Sequence, residues 1–115
     1  MQPHTTYRVQ FQRSVMQLAK TEAEAEDQAK RRLSKQYQNV DFRDFDIDVA
    51  FVEKRRENSC YEVFFRGSDY ISLPVIACGN DLDDVKQTIM CNYILEHSDF
   101  GVTESELSVE ELPYF

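Results

Sequence analysis

The chain is poor in the residues that build phosphate-binding loops, disulfide frameworks and membrane spans. Its 115 residues include three Gly, three Pro, three Cys and no Trp. The scattered glycines exclude a glycine-rich nucleotide loop. An odd number of cysteines (Cys60, Cys78 and Cys91) without C-x-x-C spacing predicts reduced thiols and no zinc site. No apolar run approaches the ~18 residues of a membrane span, and no signal peptide follows Met1, so we expect a cytoplasmic protein.

Positive charge is nearly absent from the last 49 residues, Gly67 to Phe115, which hold ten carboxylates and one basic residue, Lys86. The first 66 residues hold 12 basic and 11 acidic residues, so the net charge of −8 comes from the second half. The ten acids are Asp69, Asp81, Asp83, Asp84, Glu96, Asp99, Glu104, Glu106, Glu110 and Glu111. Such a surface repels nucleic acids and membranes and attracts basic protein surfaces.

Catalytic motifs are also absent from the sequence. Neither His4 nor His97 accompanies a nucleophile motif, and no serine stands in a G-x-S-x-G turn. Asp44, Asp46 and Asp48 alternate along a strand, which places neighbours roughly 6.8 Å apart, too far to share one ion without a second strand. The sequence therefore predicts no enzymatic activity, no metal and no cofactor.

The two halves of the chain repeat one pattern of alternating and helical apolar positions. Tyr7–Ser14 matches Tyr61–Ser68 at an offset of 54, with Tyr, Val, Phe and Ser in common. Helical apolar positions recur at an offset of 56: Ala29, Leu33 and Tyr37, then Val85, Ile89 and Tyr93. We predict one α+β domain, residues 1–115, built from two imperfect β-α-β halves at residues 7–56 and 61–112. An accidental similarity within a small α+β protein is the alternative.

Local signals give the boundaries of the helices and strands. Helices are predicted at Thr21–Tyr37, where Thr21 and Glu24 form a capping box, and at Asn80–Glu96, where Asn80 and Asp83 form a looser one. Alternation predicts a strand at Phe45–Phe51 and another at Leu107–Leu112. The pair Thr103 and Glu106 allows a capped short helix in place of the last strand.

Joined by a turn at Arg55–Ser59, the halves give the order β-α-β-β-α-β of a ferredoxin-like antiparallel sheet. We expect both helices on one face of the sheet, with Leu33, Tyr37, Ile89 and Tyr93 facing inward. Short extra strands are predicted at Val15–Lys20 and Tyr70–Ile76.

Two basic clusters, Lys30–Arg32 with Lys35 and Lys54–Arg56, raise the possibility of nucleic-acid binding. The first cluster follows acids on the same helix, which predicts i, i+4 pairs between Glu26 and Lys30 and between Asp27 and Arg31. The net charge of −8 also opposes binding to a polyanion. We therefore expect no direct binding to nucleic acid.

The acidic half is open to two interpretations. Charge runs are usually solvated surfaces that aid solubility. Alternatively, carboxylates held on a rigid fold imitate a phosphate backbone and bind a basic groove. The candidate contacts are Asp81, Asp83, Asp84, Glu104, Glu106, Glu110 and Glu111, with Asp69 and Asp99.

The chain resembles small phage-encoded inhibitors of bacterial defence, the anti-CRISPR and anti-restriction class. The resemblance rests on its small size, its acidic residues from Asp69 to Glu111 and its lack of catalytic motifs. The resemblance implies a non-enzymatic protein, and we expect a monomer in the cytoplasm of a bacterial host cell. It implies binding to a CRISPR effector complex or a restriction enzyme at the groove that receives DNA. The alternative is a ferredoxin-like regulatory or assembly module that binds a protein partner through a sheet edge.

Overall fold

The described part of the chain contains four strands and two α-helices. The structure is a computed structural model that describes the backbone of residues 4–74 and 82–112 and the side chains of 4–73 and 84–112. The strands are β1 (His4–Ala19), β2 (Asp46–Arg55), β3 (Asn58–Pro74) and β4 (Leu107–Glu111), and the α-helices are α1 (Glu22–Gln36) and α2 (Leu82–Glu96). Short 3₁₀ helices lie at Phe42–Asp44, Ser98–Phe100 and Glu104–Glu106.

Over the described residues, the fold is α+β, with a four-stranded antiparallel sheet in the order β2-β3-β1-β4. Strand β4 pairs with the first half of β1, from Tyr7 opposite Glu111 to Phe11 opposite Leu107. Strand β2 pairs with β3, from Asp46 opposite Arg66 to Arg55 opposite Asn58. The sheet therefore has β2 and β4 at its edges.

The extra short strands predicted at Val15–Lys20 and Tyr70–Ile76 are wrong as separate elements. Val15–Ala19 is the end of β1, which runs for 16 residues, and Tyr70–Pro74 is the end of β3, which runs for 17. No proline or glycine interrupts β1, so its pairing has no local reason to stop. Pro74, which has no backbone N–H, is the last residue of β3. Residues 75 and 76 lie outside the described part of the chain.

Helix α1 begins and ends where the sequence predicts, with Thr21 and Tyr37 as its capping residues. The Thr21 hydroxyl accepts a hydrogen bond from the Glu24 backbone N–H at 3.2 Å. The Glu24 carboxylate reaches one residue further than in a regular capping box and accepts the Lys20 N–H at 3.2 Å. At the other end, the Tyr37 N–H donates to the Leu33 carbonyl at 2.7 Å. The predicted start of α2 at Asn80 and Asp81 lies outside the described residues.

We expect Thr21→Ala to lower the free energy of unfolding by about 1 kcal/mol, within a range of roughly 0.5–2, because the Glu24 N–H loses its acceptor. Thr21→Ser keeps the oxygen and should remain close to wild type. Urea unfolding followed by circular dichroism measures both changes. Equal losses in the Ala and Ser variants would show that the hydroxyl does not cap the helix.

The turn predicted at Arg55–Ser59 is confirmed as a tight hairpin between β2 and β3. Arg55 pairs with Asn58, which leaves Arg56 and Glu57 as the loop. Arg56 has φ of 55°, in the left-handed region that glycine adopts most easily. A bulge between Phe51 and Glu53 places one additional residue, Val52, on the β2 side of the ladder.

Residue contacts divide the chain into two compact units, which we call the acidic unit (residues 1–11 and 68–115) and the neutral unit (residues 12–67). In the acidic unit, buried side chains come from β1, α2 and the segment after α2: Val9, Phe11, Ile89, Tyr93, Phe100 and Val102. In the neutral unit they come mainly from α1 and β3: Ala25, Ala29, Leu33, Val63 and Phe65. Leu33, Ile89 and Tyr93 are thus buried as predicted, while Tyr37 is half-buried.

The single domain over residues 1–115 and the placement of both helices on one face stay predictions. The alternatives at Thr103–Leu112 are both present, as a 3₁₀ helix at Glu104–Glu106 that leads directly into β4. Across the residues described, no helix has the length and hydrophobicity needed to cross a membrane.

Candidate protein-binding surface

The charge asymmetry of the sequence coincides with the division into units. The acidic unit contains two basic residues, Arg8 and Lys86, against ten acidic ones, which gives −8. The neutral unit contains 11 basic and 11 acidic residues and sums to zero. The entire net charge of the chain therefore belongs to one compact unit.

The predicted contact residues lie on several elements of the acidic unit. Asp69 is on β3 and Asp84 on α2, and both are exposed. The 3₁₀ helices and β4 carry the remaining described contact residues, which are exposed except for the half-buried Glu106: Asp99, Glu104, Glu106, Glu110 and Glu111. Asp81 and the side chain of Asp83 lie outside the described part of the structure.

Two of the predicted contacts make structural interactions of their own. The Glu106 carboxylate accepts hydrogen bonds from the Thr103 backbone N–H and hydroxyl, both at 3.0 Å, and so caps the 3₁₀ helix. Glu110, on β4, forms an ion pair with Arg8, the residue opposite it on β1. These two carboxylates are therefore less available to a partner than the sequence predicts.

Other exposed carboxylates of this unit have no partner within the described residues. Asp69, Asp84, Glu96, Asp99, Glu104 and Glu111 make no side-chain hydrogen bond or ion pair there. Their charge is compensated by solvent and counterions, which a basic protein surface can replace. We refer to these six side chains together as the acidic surface.

Three residues of the basic clusters in the neutral unit, Lys30, Arg31 and Arg55, are paired with neighbouring acids. The predicted pairs on α1 are confirmed, with Lys30 3.2 Å from Glu26 and Arg31 3.0 Å from Asp27. At the hairpin, a side-chain hydrogen bond from Arg55 to Glu53, 2.7 Å long, raises the pKa of the Arg55 guanidinium above its ordinary value. Pairing of this kind weakens the attraction of these residues for phosphate.

We expect no micromolar binding of mixed-sequence duplex DNA or single-stranded RNA at roughly 150 mM salt, since the net charge repels a polyanion. A gel-shift titration measures this. The matched control is a double variant, Glu26→Gln with Asp27→Asn, which releases Lys30 and Arg31 and should bind more tightly than wild type. Micromolar binding by the wild-type protein would instead make the Lys30 and Lys54 clusters the functional surface.

The fold also brings together three residues that the sequence does not single out as a group. One ligand atom each from Asp69, Glu96 and His97 lies within 4.8 Å of the other two. Asp69 lies on β3 and Glu96 at the end of α2, so no short spacing in the sequence marks the cluster. The expectation that the chain holds no metal rests on such spacing and does not cover this arrangement.

The cysteines that the structure describes are free thiols, in agreement with the sequence. Cys60 is buried and Cys91 is exposed. Cys78 lies outside the described residues.

Comparison with known proteins identified no relative. No family model matched the chain, and no curated protein or solved structure matched it significantly.

Proposed function

We propose that this chain is a non-enzymatic protein inhibitor in the bacterial host cytoplasm. Its acidic surface imitates nucleic acid and blocks the DNA-binding groove of a bacterial defence complex, a CRISPR effector or a restriction enzyme. The observation that carries the proposal is the confinement of the whole charge of −8 to one unit with unpartnered carboxylates among its described residues. CRISPR effectors hold their nucleic acid in a positively charged channel, which is the complementary surface.

The energetics of such binding favour many weak contacts over one strong one. A carboxylate that replaces a phosphate in a basic groove releases counterions from the partner's Lys and Arg side chains. Exposed charges act mainly on the association rate and on its salt dependence. The spread of the acidic surface over β3, α2, two 3₁₀ helices and β4 suits an extended groove, because each element holds its carboxylates in a fixed position.

We further propose that the sheet is the ferredoxin-like one. The element order β-α-β-β-α-β supports this, since in that arrangement the two strands of each β-α-β half flank a strand of the other half. In the order β2-β3-β1-β4, β3 lies between β1 and β2, and β1 lies between β3 and β4.

The second candidate is a regulatory or assembly module that adds a partner strand to a sheet edge. The exposed apolar residues Phe51 and Val52 on the edge strand β2, 57% and 46% exposed, favour it. The same strand carries a bulge at Val52 and a charged end at Glu53–Arg55, both of which hinder the addition of a strand. The other edge, β4, has five residues and three of its side chains are exposed.

Hydrogen exchange of the bound protein distinguishes the two candidates. With a purified CRISPR effector as partner, the proposal expects new protection in the acidic unit, at residues 82–112, and none in β2. Protection concentrated in the β2 backbone, with residues 82–112 unchanged, would support the edge-binding module and contradict the inhibitor with an acidic surface.

A further inference from the structure

A group of potential metal ligands lies at the C-terminal end of α2. Asp69 and Glu96 offer carboxylate oxygens and His97 offers an imidazole nitrogen, all within 4.8 Å of one another. The ligands come from two elements, β3 and the end of α2, which the fold of the acidic unit brings together. The cluster thus contains a nitrogen donor as well as acidic groups.

The negative charge around Asp69 and Glu96 favours a bound cation. Neither the Asp69 nor the Glu96 carboxylate forms a hydrogen bond or an ion pair in the described part of the structure. The last turn of α2 contains no basic residue, although the carbonyl end of a helix attracts positive charge. Two like-charged carboxylates and the negative end of a helix dipole therefore meet at one point.

The histidine is held in place by the helix end. The His97 backbone N–H donates to the Tyr93 carbonyl at 3.0 Å. Its ring lies against the Tyr93 ring, with 4.3 Å between the ring centroids. Tyr93 is buried, so the imidazole starts from an ordered position and loses little freedom on binding an ion.

We propose that Asp69, Glu96 and His97 bind one divalent first-row transition-metal ion, with Zn²⁺ as the best fit. An imidazole with two carboxylates suits Zn²⁺, Co²⁺ or Mn²⁺, whereas Mg²⁺ and Ca²⁺ prefer ligand sets made of oxygen. Bond lengths of about 2.1 Å in a tetrahedral site require ligand atoms roughly 3.4 Å apart. The exposed side chains of Asp69 and Glu96 can close that gap by rotation.

The metal site does not rest on the proposed inhibition, although Asp69 and Glu96 also belong to the acidic surface. It would hold in a protein that binds no defence complex, and the acidic surface would still act if no metal bound. Three protein ligands leave a coordination position for water or for a group from another molecule.

Isothermal titration calorimetry of the untagged protein with Zn²⁺ tests the proposal, with Mg²⁺ as the comparison ion. We expect saturable binding of one Zn²⁺ and much weaker binding of Mg²⁺. Asp69→Asn and Glu96→Gln keep the side-chain shape and should each raise the dissociation constant at least about tenfold. The matched controls Asp99→Asn and Glu104→Gln remove exposed charge from the same unit, and Cys91→Ser removes the exposed thiol. All three controls should leave Zn²⁺ binding unchanged.

Nuclear magnetic resonance with Co²⁺ gives a second readout, because the chain has two histidines, His4 and His97. Substoichiometric Co²⁺ should shift or broaden the ring signals of His97 and leave those of His4 unchanged. The proposal is overturned if no saturable Zn²⁺ binding occurs, or if binding is equal in wild type, Asp69→Asn and Glu96→Gln. A His97→Gln variant is not needed for the test, because the two carboxylate variants decide the outcome.

Discussion

Phe11→Ala is expected to lower the free energy of unfolding by about 3–5 kcal/mol, the range for truncation of a buried Phe. Phe11 is 1% exposed. Its ring lies 6.0 Å from the Phe100 ring, in an edge-to-face arrangement, and 6.3 Å from the Tyr93 ring. Since small domains are stable by about 5–15 kcal/mol, this loss would consume a large part of the total. Urea unfolding monitored by tyrosine fluorescence measures it.

The control for Phe11→Ala is Leu95→Ala, at an apolar residue of the same unit that is 73% exposed on α2. This substitution should change the free energy of unfolding by less than about 0.5 kcal/mol. If the two variants lose similar amounts, Phe11 does not fill the core of the acidic unit as described. The result bears on function as well, because Tyr93 and Phe100 flank the segment that carries Glu96 and Asp99.

Reversal of three exposed acids is expected to abolish inhibition and leave the fold intact. The variant is Asp99→Lys, Glu104→Lys and Glu111→Lys, at side chains that have no partner within the described residues. Like charges brought together at an interface cost several kcal/mol, so binding to a basic groove should weaken at least about a hundredfold. Glu106 and Glu110 are left in place because one caps a 3₁₀ helix and the other pairs with Arg8.

The matched control applies the same change of charge to the neutral unit, as Asp44→Lys, Asp46→Lys and Glu57→Lys. Both triple variants change the charge of the chain from −8 to −2. Competition binding to a purified effector measures the inhibition constant of each, and circular dichroism checks the fold. If both variants weaken binding equally, net charge alone accounts for the effect. If neither does, the acidic surface is a solubilising coat.

Local chemistry made much of this fold predictable from the sequence. Thr21 and Glu24 mark the start of α1, and the spacing of Glu26 from Lys30 gives an ion pair that needs no information beyond the helix. The alternation around Val9 and Val63 places both residues in strands with buried side chains. Such features depend on residues a few positions apart, which is what a single sequence displays.

Features that depend on pairing between distant segments were not predictable. Strand β1 lies between β3 and β4, and the sequence suggests a separate short strand where β1 continues to Ala19. The roles of Glu106 and Glu110 become visible only with Thr103 and Arg8 placed beside them. The cluster of Asp69 with Glu96 and His97 joins residues from β3 and the end of α2. The bulge at Val52 likewise depends on the register with β3.

Competition between this protein and duplex DNA tests the central claim most directly. A panel of purified, guide-loaded CRISPR effectors and restriction enzymes is titrated with the protein in the presence of labelled target DNA. We predict that the protein displaces DNA from at least one member, without a ternary complex. This inhibition should fall steeply as salt rises, since exposed charges are screened beyond roughly 8 Å at 0.15 M. Ternary complexes throughout the panel, or inhibition that is indifferent to salt, would contradict the claim.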